Sequence, residues 1–296
     1  MTGKKLLFGL LIIFFVVVVI LFLNFNKTTS VETGKIKVVT TLYPLYDFAK
    51  EIGQKNIDVT LLLPPGVEAH SFEPKPSDVV RINQADVFIY TGKFMEPWIE
   101  NIIKGITNKN LLIVNISDDI KLIPIDPHIW LDFDNTQIMV NTITKAFIKK
   151  DPANKLFYEQ NAKTYNQKLS NLDQKYRSVF SSCKTKEIIY GGHYAFGYLA
   201  KRYGLKYLAA QGVSPDSEPT ANDLIALVNQ IKKDSIKYVF YEELVSPKIA
   251  ETLAAETQTK LLLLSAAHNV KRDNQLSFLG IMNNNLDNLK IGLECK

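Results

Sequence analysis

The sequence is short of the residues that usually announce chemistry. Its 296 residues include only two cysteines and four histidines. No CxxC pair occurs, which excludes a zinc ribbon, and the HExxH helix of the common zinc proteases is missing as well. No Arg/Lys stripe with interleaved aromatics runs through the chain, so no nucleic-acid partner is expected. The net charge of +5 does not argue otherwise. Lys4, Lys5 and Lys27 lie in the first thirty residues, which carry no Asp or Glu; without them 32 basic residues face 30 acidic ones, a balance of +2. There is no short low-complexity insert and no strong internal repeat.

One long apolar run is present, the 18 residues from Leu6 to Leu23. That is just enough to span a bilayer and longer than a typical signal-peptide core. Lys4 and Lys5 before it favour a cytoplasmic N-terminus. No small-x-small site follows, only Asn24-Phe25-Asn26-Lys27, and no cysteine there could carry a lipid. Residues 1–30 are therefore expected to be an uncleaved signal-anchor, with a cleaved signal peptide as the alternative. Either puts the rest of the chain in an extracytoplasmic space, periplasm or cell surface, anchored to the membrane or secreted. In that oxidising setting Cys183 and Cys295 are expected to form a disulfide, the alternative being two buried free thiols.

Beyond a polar tether the pattern alternates. Strands are expected at Lys35–Thr41, Ile57–Leu63, Asp86–Tyr90 and Leu111–Asn115, with helices from Pro44 to Ile52 and from Ser77, as cap, to Asn83. Such alternation predicts a parallel sheet covered on both faces. A helix is expected over Asn135–Lys150. Another, capped by Asp151 with Pro152 in its first turn, runs to about Ser181 without an internal Pro or Gly. Its apolar residues, from Leu156 to Phe180, keep helical but not strict heptad spacing, so a rigid connector about 40 Å long fits better than a coiled coil. Alternation then resumes, with strands at Glu187–Tyr190, Tyr207–Ala209, Lys237–Tyr241 and Lys260–Leu264 and helices from near Ala195, Ala221 and Lys248. The expected fold is α/β: two lobes, each a four-stranded mostly parallel sheet flanked by helices, joined by one long rigid helix. The boundaries are 36–150 for the N-terminal metal-binding lobe, 151–181 for the connecting helix and 182–296 for the C-terminal metal-binding lobe.

The four histidines, His70, His128, His193 and His268, are spread almost evenly along the chain. His70, His193 and His268 each follow the carboxyl end of an expected strand, the edge where open parallel sheets bind ligands. Two loops from each lobe would then meet in the cleft and form a four-nitrogen shell. A lone loop histidine is more often a surface residue than a ligand, so spacing alone leaves the two readings level. Asp126 and Glu243 are candidates to orient an imidazole, Glu68 is a candidate spare ligand, and Trp130, Tyr43 and Phe196 are placed in the cleft wall or core.

Four segments carry a resemblance. Leu61–Gly92 (LLLPPGVEAHSFEPKPSDVVRINQADVFIYTG), Asp126–Asn135 (DPHIWLDFDN), Gly191–Leu205 (GGHYAFGYLAKRYGL) and Gly212–Thr220 (GVSPDSEPT) resemble, in order, the motifs of solute-binding proteins from zinc and manganese ABC importers, the ZnuA/TroA-like cluster. The likeness covers roughly residues 36–294. It implies two lobes joined by a long helix with a metal between them, and it matches His70, His128 and His193 to the family's first three ligands. Histidine at the third position marks zinc-type members, and imidazole-rich shells of low coordination number suit Zn²⁺ better than Mn²⁺. At the fourth position many relatives supply a carboxylate, but this loop reads Leu264-Ser265-Ala266-Ala267-His268-Asn269, with none before Asp273. His268 is the candidate there, with water or a carboxylate as alternatives. The His-rich loop of some zinc members is missing between Val114 and His128.

The expected function is an extracytoplasmic receptor, a monomer and not an enzyme, that captures Zn²⁺ as cargo and delivers it to an ABC transporter permease. The alternatives are the same role for Mn²⁺, a zinc-dependent hydrolase, or a metal-stabilised adhesin of the same fold.

Overall fold

A computed structural model describes residues 34–215, 217–243, 246–270 and 276–296. The expected signal-anchor lies outside the described residues, as does Asp273. Among the described residues eight strands form two four-stranded sheets, both entirely parallel. The first holds β1 (Ile36–Thr40), β2 (Ile57–Leu61), β3 (Val87–Tyr90) and β4 (Leu112–Asn115) in the order β2-β1-β3-β4. The second holds β5 (Glu187–Tyr190), β6 (Lys206–Ala209), β7 (Tyr238–Tyr241) and β8 (Lys260–Leu263) in the order β6-β5-β7-β8. The two sheets therefore share one strand order although their sequences show no repeat. In each, the order reverses between the first and third strands in sequence, which is where such sheets place their ligands.

The helices are α1 (Tyr43–Gly53), α2 (Pro76–Asn83), α3 (Ile99–Lys104), α4 (Phe133–Lys150), α5 (Lys155–Ser181), α6 (Gly197–Tyr203), α7 (Ala221–Lys233), α8 (Lys248–Thr257) and α9 (Phe278–Gly292). The sequence reading omits α3 and α9. Two of its caps are also corrected. Ser77 lies inside α2, where Pro76 takes the first turn and Asp78 accepts the Lys75 N–H at 2.8 Å. Asp151 does not cap the long helix; a 3-10 turn over Pro152–Asn154 comes first, and the Asp151 carboxylate accepts from Tyr158 Oη and Asn154 Nδ2.

The expected connector is α5, 27 residues long. Its stripe of Tyr158, Ala162, Tyr165, Leu169, Leu172, Tyr176 and Phe180 is buried, packing against α1 and α4 on one side and α9 on the other. Tyr176 Oη donates to the Met282 carbonyl at 2.6 Å, and Asp47 of α1 accepts the Phe278 N–H at the start of α9. One contiguous apolar core thus runs from Val38 and Phe48 in the first lobe through α5 to Phe240, Phe278 and Leu289 in the second. The lobes have separate sheets and a common interior. Cys183, just past α5, and Cys295 in the tail meet as a pair.

Candidate metal centre

All four histidines come to the cleft between the carboxyl ends of the two sheets. His70 is carried by the loop after β2, His193 by the turn after β5, and His268 by the loop after β8. His128 sits at a tight turn before the 3-10 helix Ile129–Leu131. His128, His193 and His268 are buried and His70 is partly exposed, so the group faces solvent only on His70's side.

Three of the rings converge by one atom each. His70 Nε2 is 3.2 Å from His128 Nε2, and His193 Nε2 is 3.1 Å from the same atom. The opposite nitrogens of two rings are fixed by carboxylates: His128 Nδ1 lies 2.8 Å from Asp126 Oδ1, and His193 Nδ1 lies 2.7 Å from Glu242 Oε2. Each Nδ1 therefore carries the proton and each Nε2 presents a lone pair. Two lone pairs at 3.1 Å do not bond to one another; they repel unless a cation lies between them. A tetrahedral zinc with Zn–N distances near 2.05 Å has nitrogen–nitrogen edges of about 3.4 Å, close to the observed spacing. The donor set is the one that zinc takes.

The electrostatics agree. Burial, reinforced by the neighbouring imidazoles, lowers the His70 pKa to about 3 and holds that of His128 well below its usual value. Both rings are neutral at physiological pH, as ligands must be. Burial also raises the Asp126 carboxyl to about 7, opposed only by the His128 N–H it accepts; a divalent cation on His128 would favour its ionised form.

His268 stands beside this trio. Its ring centroid is 5.9 Å from that of His193 and 6.3 Å from that of His70, whereas the other three pairs lie at 5.1–5.2 Å. Its Nε2 is 3.4 Å from Glu68 Oε2 and 3.9 Å from Glu242 Oε1, and neither of its ring nitrogens makes a hydrogen bond among the described residues. Burial works against its charge, but Glu68 and Glu242 outweigh it and raise its pKa. The backbone holds His268 firmly: Ala267 sits at φ +58°, a costly conformation for a residue with a Cβ, and the next residue, Asn269, donates to the Pro64 and Val67 carbonyls of the opposite lobe at 2.8 Å each. Glu68 accepts the His70 N–H at 3.1 Å, so it braces the His70 loop while facing His268.

Asp126 takes the expected orienting role. Glu243 does not: it accepts from Ser265 Oγ at 2.6 Å, and its neighbour Glu242 holds His193. The sequence shows two adjacent glutamates after a strand whose residues are apolar on both faces, so alternation gives no phase to choose between them. Trp130, Phe196 and Tyr43 are all in the core; the Trp130 ring lies edge-on to His128 at 5.4 Å, and its Nε1–H donates to the Ala266 carbonyl of the His268 loop at 2.8 Å.

Residues 38–292 match the family model of ZnuA, the zinc-uptake complex component A, periplasmic. The chain is 39% identical over 284 residues to the high-affinity zinc uptake system protein ZnuA of Bacillus subtilis, covering 88% of this chain and 89% of that protein. It superposes with a TM-score of 0.79 on the Zn(II)-bound ZnuA-like domain of Streptococcus pneumoniae AdcA, at 34% identity over 88% of this chain and all of that domain. A TM-score of 0.82 relates it to the laminin binding protein Lmb of Streptococcus agalactiae, a bifunctional protein with adhesin and metal transporting activity, at 31% identity over 88% of this chain and 99% of that one. The chain belongs to the ZnuA family of periplasmic zinc-uptake components.

Proposed function

We propose that this chain captures Zn²⁺ between its lobes, outside the cytoplasmic membrane, and hands it to an ABC permease. The observation that carries the reading is the convergence of three Nε2 atoms, those of His70 and His193 at 3.1–3.2 Å from that of His128, with the His128 and His193 atoms bared by carboxylates on Nδ1. His70, His128 and His193 supply three ligands and His268 the fourth, giving an all-nitrogen shell. To join them the His268 ring must turn away from Glu68, which its Nε2 faces at 3.4 Å. The receptor works as a monomer, attached to the membrane or released through residues 1–30. Its lobes divide at 150/151 and 181/182, and a Cys183–Cys295 disulfide secures the second. The chain carries out no reaction: a closed, buried shell suits holding, whereas catalytic zinc keeps a position open for water.

Metal content after purification without added metal, followed by competition between Zn²⁺ and Mn²⁺, tests the assignment. Zinc is expected to be retained and to displace manganese; tighter manganese retention sinks the zinc reading. X-ray absorption at the zinc edge should count four nitrogen neighbours in the wild-type chain and fewer in His268→Ala. An unchanged count removes His268 from the shell. The likeness to Lmb favours one second reading, a surface adhesin that also carries metal. Laminin binding by the zinc-loaded chain would support that role, and its absence would leave transport alone.

A further inference from the structure

The carboxylate that fixes His128 is not housed by its own lobe alone. Asp126 precedes α4 in the first lobe, but its second oxygen, Oδ2, is buried without a hydrogen-bond partner and lies against Gly197, the first residue of α6 in the second lobe. A Cβ at position 197 would come within 2.4 Å of that oxygen. It would also meet the Tyr194 ring, 2.8 Å from Cε1 and 3.1 Å from Oη, a half-buried ring that packs against Tyr207 with centroids 4.9 Å apart. Nothing in the local backbone asks for glycine: position 197 is not among the residues at positive φ, and alanine is the better helix former. The space is the only reason for it. Next to it, Tyr198 Oη accepts the Ile123 N–H at 2.7 Å, so the start of α6 holds the 123–126 segment by a hydrogen bond and by a close fit. Glu242 meets a similar limit within its own lobe, 3.0 Å from where a Cβ on Gly192 would stand.

We propose that Gly197 is a positioning residue through which the second lobe sets the orientation of His128 in the first, and thereby how long the metal is held. The inference rests on the metal-binding reading above. A displacement of α6 relative to the 123–126 segment either presses on Asp126 or frees it, and the His128 ring follows because its Nδ1 and its backbone N–H are both bound to Asp126 Oδ1. Docking onto a permease could then loosen the metal by a small lobe shift that leaves the common core intact.

The test is a double-mutant cycle on the full folded chain, with Zn²⁺ affinity and dissociation rate as readouts and the visible spectrum of bound Co²⁺ reporting ligand geometry. Gly197→Ala is expected to weaken zinc binding by about 10- to 100-fold, the range for losing an orienting partner. The loss should come through faster release and an altered cobalt spectrum. Thermal stability of the metal-free chain should fall modestly, because displacing Asp126 or Tyr194 costs more than alanine returns to the helix. In an Asp126→Ala background, Gly197→Ala should cost far less affinity, the remainder being the share of its contact with the Tyr194 ring. Gly280→Ala, whose Cβ meets nothing nearer than 3.5 Å, is the control and should change nothing. Unchanged affinity in Gly197→Ala, or an equal loss in both backgrounds, overturns the proposal. If Gly197→Ala alone does not fold, folding of the Asp126→Ala/Gly197→Ala pair supports the clash with Asp126, and failure of both overturns it. A wild-type chain that binds no zinc defeats the underlying reading instead.

Discussion

At His128 and His193 the nitrogen facing away from the proposed metal position lies 2.8 and 2.7 Å from a buried carboxylate oxygen. Asp126→Asn and Glu242→Gln keep the shape but lose the charge that fixes the tautomer, and each is expected to weaken zinc binding by about 10- to 100-fold. Competition with a chromophoric chelator measures this; affinity within twofold of wild type would deny these carboxylates an orienting role. A third buried carboxylate acts on stability. Burial raises the Asp47 pKa to about 6, with Glu51 adding to the effect and the Phe278 N–H and Tyr165 Oη opposing it. The folded state therefore holds the Asp47 proton more tightly than the unfolded chain does, and stability present below about pH 4 is lost as pH rises through 6. Asp47→Asn keeps an acceptor without the charge. It should be more stable than wild type at pH 7.5, by up to about 3 kcal/mol, with the gap closing below pH 4. Paired denaturation curves across that range check it, and a pH-independent difference would refute it.

At the scale of elements, most of the frame was legible and its joints were less so. The strands β1 to β8 and the 27-residue α5 fall where short apolar runs and unbroken helical spacing predict them. Helix α9 escaped because Phe278–Gly292 carries three consecutive asparagines and an internal glycine, a poor helical signature rescued by packing against α5. Of the site, His70, His193 and His268 were visible as isolated residues past strand ends, and their meeting in the cleft followed from the sheet-edge rule, while the family resemblance added His128 as a matched ligand position. The choice of Glu242 over Glu243 required the phase of β7. Arg202 of α6 shows a joint that no local pattern predicts. It bonds Asp173 of α5 at 2.8 Å, and Asp132 and Asp134 at the start of α4 at 2.9 and 2.7 Å. Arg202, together with Tyr203, holds the Asp173 pKa at about 2 despite its burial. Arg202→Ala should lower stability at neutral pH by about 3 kcal/mol. The deficit should shrink as pH falls from about 4 to 2, where Asp173 protonates in the wild type as well. Urea unfolding at pH 7 and pH 3 reads both; an equal deficit at the two would separate the loss from Asp173.

At the scale of the molecule, the two lobes share their largest apolar core, which α5 and α9 complete, while each keeps a smaller cluster of its own. The Cys183–Cys295 pair spans 112 residues of sequence, enclosing nearly the whole second lobe. Reduction should cost about 4 to 5 kcal/mol in the chain-entropy model, visible as a lower melting temperature in dithiothreitol and matched by a Cys183→Ser/Cys295→Ser variant. Equal melting of the oxidised and reduced chains would rule that contribution out.

The common core also couples cargo to survival. The histidines come from loops spread between residues 70 and 268, so an unfolded chain has no site, and every bound ion adds to the free energy of the whole fold. At zinc a thousandfold above its dissociation constant the gain is about 4 kcal/mol, on the order of 10 °C in melting temperature for a body of this size. Loaded receptors should outlast empty ones when challenged with thermolysin after removal of free zinc, and equal half-lives would break the link. Where proteases share the compartment, zinc supply would then govern how many receptors persist as well as how many are filled.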